Sequence, residues 1–497
     1  MKLFAKKASV GGDAIYLTVS KIIVLFIGMI TSMLLARFRT LEEYGTYSQI
    51  IMITDLVSTI LMLGLPNSIN YFLAKARTDE EKQRFMSVYI TLSGIFTFVI
   101  AVCLFLALPV ISEYFKNPAI TTFSYVFAIY PWSSLMINSL SNTCIVYGKT
   151  NRLIIYNIIY TIVTLIILLI TKALGMTFRQ YMALYMLIMF VFGSIALGWM
   201  KKLVKTLKLL LSIKIIKEIL VFSIPMGLAS VVGTLNTELD KLVIGRFFTT
   251  EEYAIFANAA KELPVTILAT SLTAVLLPRF VRLIDQKSVD EAIKLWKYAA
   301  SLSFCFMTLI VGGFFTFAPD IMSLFYSEKY VTDGGVLVFR IYSLILLFRA
   351  LYWGIILNAT GQTKFVFYSS LLTLGLNLIG NIVSCYFIGF TGPAISSLVV
   401  IAIMACIQLW FSCRIINYKF SKVLPWKTIF TYIIETIIFS CIFATVRYKL
   451  IVNMNLNRSV LIIISMALGV VWTLVYVWIN KKDIIMNWKK LNKFSCE

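Results

Sequence analysis

The chain contains no histidine. That single absence excludes Ser-His-Asp catalysis, imidazole-ligated metals and imidazole pH switches. Charge is scarce as well. Asp, Glu, Lys and Arg make up only 14% of 497 residues, too little to solvate a soluble surface of this size. Acidic residues are the rarest, 23 against 45 Lys and Arg, and the formal net charge is +22. No Asp-x-Asp pair of the kind that holds a nucleotide-sugar metal occurs. The eight cysteines, Cys103, Cys144, Cys305, Cys385, Cys406, Cys413, Cys441 and Cys496, form no CxxC motif, and most lie inside apolar runs. They read as small buried hydrophobes, neither disulfides nor metal ligands.

Apolar side chains fill the chain instead. They make up 60% of it, against roughly 45–50% in soluble domains, and the mean hydropathy is +0.89. This composition reads as an integral membrane protein. A spanning helix needs about 20 mostly apolar residues. Fourteen such stretches are predicted: 13–36, 45–66, 86–108, 120–146, 153–174, 178–200, 219–245, 253–277, 298–318, 334–358, 365–388, 391–413, 427–447 and 459–480. The first reads as a retained signal anchor: Lys2, Lys6 and Lys7 precede it, and it lacks a small-residue cleavage site.

Loop charge orients these spans. With the N-terminus in the cytoplasm, and charges at span ends counted with the adjoining loops, inside segments carry 30 Lys and Arg and outside loops 10. This is the positive-inside pattern, and it places both termini in the cytoplasm. The basic excess is thereby accounted for by topology and anionic lipid, not nucleic acid. One inside connection, 201–217, sets six lysines among leucines and isoleucines and is predicted as a basic amphipathic helix on the inner leaflet. The Gly148-Lys149-Thr150 tripeptide echoes the end of a phosphate-binding loop, but Thr143 stands where its first glycine is required.

The chain also repeats itself. Residues from Arg37, RFRTLEEY, match those from Arg246, RFFTTEEY, with six identities in eight positions. Gly148-Lys149-Thr150 recurs as Gly361-Gln362-Thr363. Six predicted spans separate the copies, so the repeats are parallel, with a cleft expected between two six-helix lobes. The predicted domains are a first lobe over 1–210, a second over 211–420, and two added helices with a cytoplasmic tail over 421–497. In each repeat the arginine is placed to snorkel to the outer interface, and the glutamates to cap the next helix.

These segments resemble a known family. ARFRTLEEYGTYS followed by LGLPNSINYFLAK is similar to the start of the Wzx-type polysaccharide flippases, and FSIPMGL with TELDKLVIGRFFTTEEYAIFANA is similar to their second lobe. These flippases belong to the multidrug/oligosaccharidyl-lipid/polysaccharide exporter superfamily, beside MATE drug exporters and lipid II flippases. The resemblance covers the whole chain. It implies an all-α fold of fourteen transmembrane helices, two parallel six-helix repeats plus two C-terminal helices. It also implies no catalytic activity. The implied task is to move an undecaprenyl-pyrophosphate-linked oligosaccharide across a bacterial inner membrane for O-antigen, capsule or exopolysaccharide assembly. Implied partners are that polyprenyl-linked cargo, membrane lipids, and the polymerase and chain-length proteins of the same pathway. A MATE-like drug antiporter and a lipid II flippase stand as alternatives.

Ionisable residues inside spans usually face a cavity or a partner. Ten occur here: Lys21, Lys241, Lys261, Arg340, Arg349, Asp55, Glu238, Asp240, Glu262 and Glu435. Arg349 and Asp55 lie closest to mid-membrane. An anionic pyrophosphate calls for cations, and Arg offers a bidentate fork. The candidate cargo residues are therefore Arg349, Lys21, Lys261, Arg340 and Lys241, with Arg37 and Arg246 at the rim. No ATPase signature is present, so coupling to a sodium or proton gradient is expected. A cation site needs buried oxygen ligands. Asn377 and Asn381, one helical turn apart, join Glu238, Asp240 and Asp55 as candidates. Lipid II flippases are thought to bind sodium between spans 7, 11 and 12. That resemblance carries over as far as an acidic residue on span 7 and the Asn pair on span 11. No metal site or other cofactor is expected.

Overall fold

The computed structural model describes residues 10–261, 266–454 and 457–493, with side chains over 22–261, 276–450 and 457–491. Among them, every regular element is a helix. In chain order these are α1 (Val10–Phe38), α2 (Leu41–Met62), α3 (Asn67–Lys75), α4 (Asp79–Leu106), α5 (Leu108–Tyr114), α6 (Ala119–Thr122), α7 (Ser124–Val146), α8 (Thr150–Ala173), α9 (Phe178–Val204), α10 (Ile213–Phe247), α11 (Thr250–Ala259) and α12 (Thr266–Asp285). There follow α13 (Val289–Thr316), α14 (Ala318–Tyr326), α15 (Asp333–Phe348), α16 (Ile355–Ala359), α17 (Thr363–Ile388), α18 (Gly392–Ile415), α19 (Phe420–Val423), α20 (Trp426–Met454) and α21 (Arg458–Lys493). Ten helical segments among the described residues are long and apolar enough to cross a membrane. Their outward faces carry Phe98, Leu106, Ile379, Phe387 and Trp478, all exposed. So much exposed apolar surface belongs against lipid. The chain is a multi-pass membrane protein.

The repeated sequence has one local explanation in both places. Thr40 accepts from the Glu43 amide at 3.1 Å, and the Glu43 carboxylate accepts from the Thr40 amide at 3.1 Å. Thr249 and Glu252 make the same reciprocal pair at 3.2 and 2.9 Å. Each copy therefore ends one helix and starts the next with a capping box. Arg37 and Arg246 sit in the last turns of α1 and α10 with exposed side chains. The second marker also has a geometric cause. Gly148 and Gly361 take φ of +62° and +74°, a left-handed turn that suits glycine between consecutive helices.

The chain forms two compact units, Met1–Glu238 with Phe248–Ala254, and Leu239–Phe247 with Ile255–Glu497. In the first, α7 packs along α9, α4 against α7, and α1 against α8. Its core gathers Met86, Tyr89, Leu140, Ala196 and Met200. The turn after α2 meets α10 backbone to backbone. A Cβ on Gly227 would stand 2.1 Å from the Leu63 carbonyl carbon, and one on Gly64 would stand 2.8 Å from the Gly227 nitrogen. Only glycine permits that approach. In the second unit, α13 is the central helix, largely buried and packed against α12, α15, α20 and α21. Trp296, Ala300, Leu409, Tyr432 and Tyr476 fill its core.

Several expectations are refined. The connection over 201–217 is not one amphipathic helix. α9 ends at Val204, Lys205 takes φ +74°, and the chain runs without helix to Ser212. The Lys208 and Leu210 amides donate to Ser87 Oγ and Thr91 Oγ1 on α4, both at 3.1 Å. Side chains of α4 thus supply the partners that a helix would have supplied internally. Lysines remain at both ends of this strap, and Leu209 and Leu211 are exposed. The predicted span 120–146 maps onto α6 and α7. α7 is outside the ten; its polar residues include Asn138 and Asn142, and it buries Ser133, Ser139 and Thr143. The predicted span 334–358 is interrupted after Phe348. Of the described cysteines, Cys144, Cys305, Cys385 and Cys413 are buried, whereas Cys103, Cys406 and Cys441 face outward. Cys496 lies outside the described residues.

Candidate functional site

The interruption is where the second unit concentrates chemistry. α15 stops at Phe348, Arg349 is its C-cap with φ −90° and ψ 0°, and α16 begins only at Ile355. The freed carbonyls are satisfied from outside the helix. Trp353 donates its indole N–H to the Phe348 carbonyl at 2.5 Å, and Ser303 Oγ donates to the Ala350 carbonyl at 2.5 Å. Unwound backbone at membrane depth persists where protein buries it or where it lines a cavity. Here it does both. Arg349 and Lys261 line one small cleft of about 20 Å³ with Tyr342, Ser343, Phe314 and Phe339. Arg349 stands at the negative end of α15, where a cation is favoured. Two of the predicted cargo residues therefore share a single wall.

The other predicted cations lie elsewhere. Arg340 is on α15, where its Nε donates to the Phe315 carbonyl at 3.1 Å and its guanidinium covers the Phe315 ring at 5.3 Å. Lys241 is half-buried on α10. The side chain of Lys21 and the whole of Glu262 lie outside what the structure describes.

Beyond the cleft, an apolar groove of about 440 Å³ runs between α13, α14 and α21, lined by Leu309, Ile310, Phe317, Leu324 and Met466. Phe314 lines both the groove and the cationic cleft. At one end of the groove lies a buried ion pair. Asp320 is 2% exposed; it accepts from Arg447 and from Ser465 Oγ at 2.7 Å, with Arg458 3.8 Å away. Arg458 also reaches Glu328 at 3.0 Å. Sequence reasoning missed this cluster, because Asp320, Arg447 and Arg458 lie on three separate helix ends. Their nearness depends on how α14, α20 and α21 pack.

A second polar cluster is sealed in the same unit. Asn377 and Asn381 lie on a stripe of α17 that continues through Ser369, Thr373 and Cys385, every fourth residue. Both are buried, at 4% and 0% exposure. With the Asn381 amide turned to satisfy its surroundings, its nitrogen has three acceptors within 3.1–3.2 Å for its two hydrogens, the Pro393 carbonyl, Ser396 Oγ and Asn377 Oδ1, and its oxygen accepts from the Asp240 amide at 3.3 Å. Ser397 Oγ donates to Asn377 Oδ1 at 3.2 Å. Asp240 is 3% exposed. The structure thus brings Asp240, Asn377 and Asn381 together and adds two serines of α18. Glu238 is half-buried on the neighbouring turn of α10. Asp55 stands apart in the first unit: it is exposed on α2 and accepts from Tyr130 Oη at 3.3 Å.

A sequence profile described as "Polysaccharide biosynthesis protein" matches residues 10–284, more than half of the chain. The chain belongs to that family. It is also similar to the capsular polysaccharide biosynthesis protein CapF of Staphylococcus aureus, with 26% identity over 165 residues. That match spans 33% of this chain and 41% of CapF, well under two-thirds of the relative. Among solved structures it resembles the lipid II flippase MurJ in an inward closed conformation, with a TM-score of 0.73 and 18% identity over 95% of this chain and 100% of MurJ. It also resembles an inward-facing MATE multidrug transporter of the MOP superfamily, with a TM-score of 0.66 and 15% identity over 79% and 94% of the two chains. The fold is like that of these MurJ and MATE structures.

Proposed function

We propose that this protein flips an undecaprenyl-pyrophosphate-linked oligosaccharide from the cytoplasmic to the outer face of a bacterial inner membrane. The observation that carries the reading is the pairing of Arg349 and Lys261 on one cleft, with Phe314 shared between the linings of that cleft and of an apolar groove. The cargo is an amphiphile of matching kind, with a dianionic head and a long polyprenyl tail. Moving the head through hydrocarbon unaided costs tens of kcal/mol by the Born estimate. A wet cleft with two cations offsets most of that barrier. The groove takes apolar chain, and its walls carry little that could bind sugar. Membership of the polysaccharide biosynthesis family and the flippase-like fold support the same cargo class.

In this reading the chain spans the membrane fourteen times with both termini in the cytoplasm. Two parallel repeats, 1–210 and 211–420, alternate access to the site, and 421–497 is appended. The sealed cluster of Asp240, Asn377 and Asn381 is the coupling site for sodium or protons. A cationic drug, the cargo class of a MATE antiporter, is repelled by the Arg349 cleft. The decisive experiment is reconstitution. Vesicles holding purified protein and lipid-linked oligosaccharide expose that lipid to an externally added lectin or glycosidase only when flipping occurs. No exposure above protein-free vesicles rejects the reading.

A further inference from the structure

The first unit holds a polar face that the cationic cleft does not explain. Asp55 lies about 21 Å along α2 at 1.5 Å per residue, deep in the span, yet its side chain is exposed. A carboxylate at that depth faces water or a partner, not lipid. Tyrosines surround it. Tyr130 donates to it at 3.3 Å from α7. Tyr181 and Tyr185, one turn apart on α9, stack at 6.1 Å with their planes 10° apart. Tyr185 meets Tyr47 of α2 edge-on at 6.4 Å. Tyr47, Tyr130 and Tyr160 of α8 are all electrostatic neighbours of Tyr185. Four helices therefore contribute to one phenolic surface.

The unit's structural tyrosines look different. Tyr89 is 0% exposed and closed by Ser139 at 2.6 Å, and Tyr156 is 6% exposed and closed by the Phe192 carbonyl at 2.7 Å. They are finished core residues. Tyr47, Tyr130, Tyr160 and Tyr185 are only half-buried; the Tyr130 hydroxyl donates to Asp55, and the Tyr160 hydroxyl to Met189 Sδ at 2.6 Å. Phenols with an apolar face and a wet tip suit a ligand that is itself amphipathic. Sugar rings are of that kind. Their C–H faces stack on aromatic rings, and adjacent hydroxyls donate together to one carboxylate. Phosphate is a poor fit, because this face holds a carboxylate, and Arg39, over the Tyr181 ring at 5.4 Å, already donates to the Met176 carbonyl.

We propose that Asp55, with Tyr47, Tyr130, Tyr160 and Tyr185, forms a saccharide-binding face in the first unit, which holds the glycan of the cargo. The proposal rests on the flippase reading for its ligand and deepens it by naming where the sugar binds. Sugar is recognised by this uncharged-to-acidic surface of the first unit.

The test separates the two moieties. Full-length protein is extracted in native-lipid nanodiscs from the cells that make it. Retained lipid-linked saccharide is measured by mass spectrometry, and binding of added, sugar-free undecaprenyl pyrophosphate is measured in parallel. Asp55→Asn and Tyr185→Ala are each expected to retain about tenfold less lipid-linked saccharide, with unchanged binding of the sugar-free lipid. Tyr185→Phe, which keeps the ring, is expected to retain most of it. Wild-type retention in both Asp55→Asn and Tyr185→Ala overturns the saccharide face and leaves the flippase reading standing. Loss of both lipids in the isosteric Asp55→Asn assigns the residue to the fold and also overturns the proposal. Wild-type protein that holds neither lipid refutes the flippase reading, and the saccharide face with it.

Discussion

Arg447 grips Asp320 with two parallel hydrogen bonds, Nε to Oδ2 at 2.5 Å and Nη2 to Oδ1 at 2.9 Å. The pair joins α20 to α14, and both side chains are largely shielded, at 15% and 3% exposure. Removing one partner of a buried pair leaves an uncompensated charge and costs about 3–5 kcal/mol. Arg447→Ala is therefore expected to lower the melting temperature in detergent markedly. Replacing both Arg447 and Asp320 by leucine is expected to recover most of the loss. An unchanged melting temperature for Arg447→Ala would show that the pair is not structural.

Arg349 carries the cargo reading. In cells that depend on this protein, Arg349→Ala is expected to abolish surface polysaccharide while membrane levels of the protein stay normal. Arg349→Lys keeps the charge and loses the bidentate fork, so partial export is expected. Normal export by Arg349→Ala removes the best residue of the cationic cleft.

The buried amide cluster is tested through energy coupling. Flipping in vesicles is expected to rise when an inward sodium or proton gradient is imposed. The Asp240→Asn, Asn377→Ala double variant is expected to lose that rise and keep a basal rate. If rates are equal with both gradients collapsed, or if the double variant responds fully, the cluster is only a helix-packing network. Such networks contribute about 0.6 kcal/mol per hydrogen bond in membranes.

Topology gives a simple readout. With both termini in the cytoplasm, a C-terminal alkaline phosphatase fusion is expected to be inactive and a C-terminal fluorescent protein bright. The opposite pattern inverts the loop-charge assignment and removes the parallel relation of the repeats.

Much of this was legible in the sequence because it depends on spacing along one helix. The RFxTxEEY copies encode capping boxes, and Thr40–Glu43 and Thr249–Glu252 form them as the spacing requires. Asn377 and Asn381, four apart, had to share a face of α17, and they do. What hydropathy could not show was the break after Phe348. The residues there, Ala350 to Trp353, carry no charge and include neither glycine nor proline. The unwinding is held by Ser303, distant in sequence, and by the Trp353 indole. The strap over 205–212 escaped for a similar reason, since its partners Ser87 and Thr91 belong to α4. The tyrosine face escaped because its members come from four helices, and only the Tyr181/Tyr185 spacing offered a local hint.

The glycine contact between Gly227 and the Leu63–Gly64 turn has a mechanical side. No side chains interlock there, because a Cβ has no room. A joint of bare backbone has no teeth to disengage. At the two glycines themselves no rotamer stands in the way, and the nearby side-chain packing is carried by the Tyr71–Phe222 stack at 4.5 Å. A single added methyl at Gly227 would act as a permanent shim, holding α2 and α10 apart at that end whatever the rest of the chain prefers.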